Sequence, residues 1–239
     1  MGGITDIDKR ILRHNSAFKD DPIRVLRLMR FKAKLKDFDV APETQIMLNE
    51  LLSNLDLFLD IPKERLVAEI IKGFNSVFFN RYINELNTYS VLENMCGIKI
   101  LFKIIETELS LSIDEKIAIS LSNNSFLDLE ILFEKIKFPR HISSFSLNLK
   151  SLITLDLESS QQVILDALEL IRWNDSDGDF DSYVRCLKTL DLAAKGLLLV
   201  RGREILKGLD LREIASEPSN KSVALKIFAA KYQALAKLL

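Results

Sequence analysis

Apolar and polar positions recur along this chain at spacings of three and four rather than two. The period predicts helices almost throughout. The first clear one follows Asp20-Asp21-Pro22: the segment Ile23 to Lys36 carries Ile23, Leu26, Met29 and Ala33 on or near one side. An acidic residue before a proline is a helix-start signal, so Asp21 is expected to cap and Pro22 to open the helix. A second helix is expected from about Pro42, with Met47, Leu48, Leu51, Leu52 and Leu55 inward. A third starts near Pro62 with Leu66, Ile70 and Ile71 inward and Gly73 near its end. Shorter helices fit Ser76 to Asn87 and Tyr89 to Met95, with Gly97 as a stop.

Further on, Ser112 and Glu115 form a capping-box pattern before a helix, and Asn124 or Ser125 is placed to cap the next. Pro139 restarts a helix running toward Leu155, and Ser159 to Trp173 makes another. The polar run from Asn174 to Asp181 is expected to be a loop before a helix from Tyr183 to Lys195. Gly196, Gly202 and Gly208 predict a looser stretch, and a last helix covers about Lys221 to Leu238. The apolar run from Gly97 to Ile105 has no alternating partner, so strands are not expected there. Residues 1–19 lack a sustained period, and no repeat of fixed length is present.

Composition agrees with this pattern. The 239 residues include only 8 Gly and 5 Pro, few breakers for a chain that is 48% apolar and 28% charged. Such a chain buries a sizeable core, as one large domain or two smaller ones. The expected class is all-α, an elongated multi-helix array with no substantial sheet. The formal net charge of −1 argues against a bulk polyanion binder, so any nucleic-acid surface must be a local patch. Cys96 and Cys186 lie far apart without metal-ligand spacing and are expected as buried free thiols. No apolar run reaches membrane-spanning length, and the opening MGGITDIDKR has no signal-peptide core. A cytoplasmic location is therefore expected.

The segment richest in chemistry is Asp20-Asp21-Pro22-Ile23-Arg24-Val25-Leu26-Arg27. Its plain reading is a capped helix start with Arg24, Arg27 and Arg30 in solvent. A second reading uses the three-residue spacing of Asp21 and Arg24, which aims both side chains at one spot. A carboxylate only accepts hydrogen bonds and a guanidinium only donates. Cytosine and adenine each present an amino donor beside a ring-nitrogen acceptor; uracil and guanine present the reverse order. One Asp–Arg pair thus matches C and A and leaves U and G with opposed partners. Cap and template roles compete for the Asp21 carboxylate unless its two oxygens serve both, or Asp20 takes the cap.

This segment resembles the acidic-Asp-x-x-Arg element of class II (bacterial) tRNA nucleotidyltransferases, usually Glu-Asp-Pro-Leu-Arg, with Asp20 in place of Glu. Gly2-Gly3-Ile4-Thr5-Asp6-Ile7 with the later Arg13 resembles the stretch that closes that family's head domain. Pro62-Lys63-Glu64-Arg65-Leu66-Val67-Ala68-Glu69-Ile70 resembles its Glu-Arg-x-x-x-Glu neck helix. Three elements in order span residues 1–100; beyond 101 the likeness is helical texture alone.

The resemblance implies a division into a head remnant or linker (1–19), a base-reading helical neck (20–100), and a tRNA-binding body and tail (101–239). It implies that Asp21 and Arg24 read the incoming base, that Arg27 supports them or approaches the nucleotide, and that Glu64, Arg65 and Glu69 brace the neck. For these three the plain alternative is a solvated face with an Arg65–Glu69 pair. The partners implied are the tRNA acceptor arm, CTP and ATP, with Mg2+ in the complete enzyme. The family's Gly-x-x-Arg-Asp loop and metal-binding Asp-x-Asp pair are not found, so the chain is expected to be inactive alone and to need a catalytic head in trans. Asp175-Ser176-Asp177 imitates the pair but sits in a polar run. As a calcium loop it would place Phe180 and Cys186 where Gly and Glu are required. No His-Asp dipeptide marks a phosphohydrolase; His141 is expected at a helix-start surface, and Trp173 as a core or hinge aromatic. Lys135, Lys137, Arg140, Lys221, Lys226 and Lys231 are candidate phosphate contacts or ordinary solvated charge. The alternatives to a CCA-adding enzyme's C-terminal part are a poly(A) polymerase, a non-catalytic RNA-binding or interaction module of the same descent, and an unrelated helical adaptor.

Overall fold

The computed structural model describes residues 3–54, 56–107, 110–156, 160–175, 177–216 and 218–238. Gly2, Leu55, Ser159 and Ser176, used above, lie outside the described residues. The chain forms two compact units, Met1–Leu147 and Asn148–Leu239. The expected neck, 20–100, falls within the first.

The first unit opens with α1 (Gly3–Asp8) and β1 (Ile11–Leu12), then a 3-10 turn at Ser16–Asp20 leading into α2 (Arg24–Lys34). β2 (Asp39–Val40) follows and pairs in parallel with β1, Ile11 opposite Asp39 and Leu12 opposite Val40. Then come α3 (Pro42–Leu52), α4 (Asp56–Leu59), α5 (Lys63–Phe74), α6 (Phe79–Thr88) and α7 (Val91–Cys96). A segment of irregular backbone joins these to α8 (Ile113–Leu121), α9 (Phe126–Ile136) and α10 (Arg140–Thr154), the last of which crosses the boundary between the units. Among the described residues the only sheet is the two-residue pairing of β1 with β2, so the fold is all-α.

α2 forms because its eleven residues contain no Gly or Pro and are rich in Leu, Arg, Met, Lys and Ala, all strong helix formers. It buries Val25, Leu26, Leu28, Met29 and Ala33 and packs against α5 and α6. Each large apolar side chain removed from water contributes about 1.5–3 kcal/mol, so this face anchors the helix whatever its polar side does. The core continues through Leu48, Leu66, Ile70, Phe74, Tyr82, Ile83 and Leu86. Gly73 lies where α5 meets α6, and a Cβ there would overlap the Tyr82 ring.

The irregular segment near Phe102 is held by side-chain amides acting as surrogate strands. Asn87 donates to the Phe102 carbonyl at 2.8 Å and accepts from its N–H at 2.9 Å. Asn80 treats Ile105 the same way, at 2.8 and 3.1 Å, and Asn124 treats Leu101 so at 2.8 and 3.0 Å. Asn124 is thereby committed, and Ser125 caps α9. The capping box at Ser112 and Glu115 forms as expected.

The second unit contains α11 (Gln161–Leu170), α12 (Asp177–Thr189), α13 (Ala193–Lys207), α14 (Leu211–Ser216) and α15 (Val223–Leu235). Two expectations fail here. The polar run is not wholly a loop: α12 starts at Asp177, whose carboxylate pairs with Arg203 (2.7 Å) and Lys207 (2.9 Å) of α13. Gly196 and Gly202 lie inside one continuous helix, α13, and only Gly208 marks a helix end, as the C-cap of α13. Gly196 packs beside Val184 and Gly202 beside Leu168, so these glycines serve close helix packing rather than a break. Trp173 is a core aromatic, 4% exposed, and Cys96 and Cys186 are buried free thiols. Burial pushes the Cys96 thiol up to about 11, against the opposing charges of Lys135 and Lys63.

Candidate functional site

The β1–β2 pairing holds residues 11–12 beside the chain that leaves α2, and so brings 13–15 toward α2. The His14 N–H and Nδ1 both meet Thr44 Oγ1, at 3.0 and 2.9 Å, which fixes this stretch to the start of α3. Between it and α2 opens a cleft of about 450 Å³, with Arg24, Arg27, Leu28 and Phe31 on one wall and His14 and Phe18 among the residues facing them. The α2 residues are spaced three, four and seven apart and so share one helix face.

Asp21 ends the 3-10 turn in extended backbone and does not cap α2. The residue before the helix is Ile23, and no side-chain cap forms. The Asp21 carboxylate is taken instead by Arg65 of α5, at 2.8 Å through Oδ2. A 21% exposed side chain keeps it from being sealed in the packing, although Asp21 is not among the residues lining the cleft. Arg24 lines the cleft and donates from Nη1 to the Ala17 carbonyl at 2.6 Å. Asp21 and Arg24 are thus each fixed by one hydrogen bond. Among the described residues, Oδ1 of Asp21 and Nη2 of Arg24 keep their capacity for another partner.

Beneath them lies a carboxylate that gathers three cations. Glu69 of α5, 3% exposed, accepts from Arg27 at 3.3 Å, Arg30 at 3.3 Å and Lys72 at 3.0 Å. Burial by itself would raise its pKa. The Lys72 hydrogen bond and the charges of Lys72, Arg30 and Arg27 outweigh that and hold it below the ordinary value. The plain reading of solvated arginines is therefore corrected: Arg27 and Arg30 are half-buried and bonded to Glu69. The expected Arg65–Glu69 pair is replaced by longer-range partners, because one turn of α5 aims Arg65 at Asp21 while Glu69 points to α2. Glu64 is exposed and, among the described residues, makes no ion pair.

Arg13 pairs with Asp6 at 3.0 Å and also with Glu43. Of the candidate phosphate contacts, Lys135 donates to the Cys96 carbonyl and Lys226 to that of Ala215, both at 2.6 Å. Lys231 pairs with Glu169 at 2.6 Å and lies over the Trp173 ring. Lys137, Arg140 and Lys221 are exposed. His141 is exposed beside Asp114, at 3.7 Å. Among the described residues no group of three or more His, Cys, Asp or Glu side chains could hold a metal ion.

The spacing reading found Arg24 and Arg27 but missed His14, Phe18 and Phe31. Phe31 was legible in principle, at seven from Arg24. His14 was not, because a two-residue strand leaves no period to detect.

The first unit is thus a helical array with an arginine-lined cleft, near which Asp21 and Arg24 are each held by a different partner. Comparison with known proteins makes this particular. Part of the chain is similar in sequence to bacterial CCA-adding enzymes. It is 39% identical over 95 residues to a multifunctional CCA protein of Xylella fastidiosa, covering 38% of this chain and 23% of the relative. It is 39% identical over 105 residues to a CCA-adding enzyme of Francisella tularensis subsp. novicida, covering 43% and 26%. These matches therefore span about a quarter of the relatives' length. No family model matches. The fold is that of a solved CCA-adding enzyme in apo form, with a TM-score of 0.64 at 16% identity over 99% of this chain and 60% of that one. The Thermotoga maritima CCA-adding enzyme complexed with tRNA gives 0.55 at 14% identity, over 99% and 62%.

Proposed function

We propose that this chain is the RNA-binding, nucleotide-selecting part of a tRNA nucleotidyltransferase that adds C and A to tRNA 3′ ends, working with a catalytic head. In this reading residues 20–100 are the neck that reads the base, and 101–239 the body and tail that hold the acceptor arm by shape and phosphate contacts. The observation that carries it is the state of Asp21 and Arg24. Arg65 and Ala17 orient them, yet each keeps an acceptor or a donor for a base edge.

The mechanism is one of complementarity. Oδ1 of Asp21 accepts from the exocyclic amino group of cytosine or adenine, and Nη2 of Arg24 donates to the adjacent ring nitrogen. Uracil or guanine would set carbonyl against carboxylate and N–H against guanidinium, leaving buried polar groups unpaired at a cost of about 1–3 kcal/mol each. Arg65 and Glu69 serve as the brace: one holds Asp21 and the other ties α2 to α5 through Arg27 and Arg30. CTP and ATP are the nucleotides. The residues that would hold Mg2+ would belong to the head, where the ion would supply charge neutralisation and activation of the primer hydroxyl.

Nucleotide addition to tRNA ending before CCA tests this. This chain alone should add nothing. Mixed with a separately expressed head, it should support addition of C and A and reject U and G. Asp21→Ala and Arg24→Ala should each erode that selection, and unchanged selection in both would eliminate the template. The second reading is a helical module of the same descent that kept the fold without the chemistry. Failure of every head to restore addition would favour that reading.

A further inference from the structure

We propose that Phe31 is a positioning residue of the cleft, the aromatic face on which the base of the bound nucleotide stacks. This rests on the base-reading function proposed above and adds to it a residue that neither the Asp–Arg logic nor the family resemblance supplied.

Phe31 is 44% exposed although this chain buries most of its large aromatics. It is not loose on the surface. It lines the same cleft as Arg24 and Arg27, and the buried side chains of Phe18 and Leu28 line that cleft with it. The guanidinium of Arg30 lies against its ring, 5.1 Å from the centroid, and Arg30 is itself bonded to Glu69 of α5. An exposed aromatic is thus held by a cation that a buried carboxylate holds in turn. Solvent exposure alone gives no reason for such support.

Position along the helix completes the argument. Seven residues separate Arg24 from Phe31, about 10 Å of helix axis. Helical side chains lean toward the N-terminus, so the Phe31 ring lies over the turn of Arg27 and Leu28, on the side of Arg24. A base whose edge meets the Arg24 guanidinium has its ring plane extending toward Phe31 over an apolar floor. Edge contacts discriminate among bases, whereas stacking does not, because every base has a π face. The work is therefore divided: Arg24 in the cleft and Asp21 outside its lining select, and Phe31 supplies affinity common to all bases.

The test is titration of the full chain with CTP, ATP, UTP and inorganic tripolyphosphate, followed by calorimetry and by the aromatic resonances of Phe31. Wild type should bind CTP and ATP more tightly than UTP. Phe31→Ala and Phe31→Leu should weaken CTP and ATP alike by about tenfold, leave the CTP-to-UTP ratio unchanged and leave tripolyphosphate binding alone. Phe31→Trp should retain or tighten binding. Phe31→Leu keeps apolar bulk without a π face, so equal binding by Phe31→Leu and wild type would overturn stacking while leaving base reading intact. Loss of the CTP preference in wild type, with Phe31→Ala still weaker, would overturn base reading and keep the stacking face. No nucleotide binding by wild type would overturn both. Thermal unfolding of each variant, expected to match wild type at this exposed position, separates lost stacking from lost fold.

Discussion

Glu69 concentrates more interactions than any other side chain near the cleft. One buried carboxylate meets three cations from two helices, so its removal leaves charge without a partner. Glu69→Gln should cost about 1.5–3 kcal/mol near neutral pH, the range for hydrogen bonds to charged groups, read from urea midpoints. The pH dependence follows from the lowered pKa. The ionised form is favoured by folding, so its contribution is full above the unfolded carboxylate value of about 4.3. It fades as pH falls through the lower folded value. The gap between wild type and Glu69→Gln should therefore be constant from pH 7 to about 5 and shrink toward pH 3. Tyr82 offers the opposite case. Its hydroxyl is buried with no hydrogen-bond partner among the described residues, and burial, with Glu69 nearby, raises its pKa. An unmet polar group of this kind costs free energy, so Tyr82→Phe, which keeps the ring packed on Phe74, should be neutral or stabilising by about 1 kcal/mol in the same melts.

At the scale of elements, what matters is how closely helices approach. Gly73 lets α5 meet the Tyr82 ring of α6, and no Cβ fits there without displacing the ring. Gly73→Ala should destabilise by about 1–3 kcal/mol despite its helix propensity. Gly202 is milder: its nearest obstacle is the tip of Leu168, 2.9 Å from the added atom. There the propensity gain of about 1 kcal/mol offsets most of the cost, so Gly202→Ala should melt within about 1 kcal/mol of wild type. The pair distinguishes a glycine set against a packed ring from one facing a flexible side chain. It also explains why Gly196 and Gly202 were misread as punctuation: a local rule counts breakers and does not see the neighbouring helix. The polar start of α12 was misread for a related reason. Its first residue is acidic and solvent-facing, but Arg203 and Lys207 of α13 anchor it.

At the scale of the molecule, two units each carry a core of their own, and all residues of the proposed base-reading site belong to the first. Under the proposed function, catalysis depends on the head with which the chain is combined. Alone it should leave a tRNA substrate unextended, and a supplied head should restore C and A addition, as scored by gel on tRNA lacking CCA.

The sequence by itself determined the helical class, the positions of most helices, the capping box at Ser112 and the Asp21–Arg24 spacing. Each is set by propensity and period within a few residues, where local energies dominate. Only the tertiary structure decided the partners. Asp21 turned from cap to Arg65, Glu69 reached α2 instead of Arg65, His14 and Phe31 came to share a cleft with Arg24, and Asn87 stood in for a strand. These depend on contacts between residues far apart in the chain, where a charge or a ring is satisfied by whatever folding brings within about 3–6 Å. No periodicity along the chain encodes that distance.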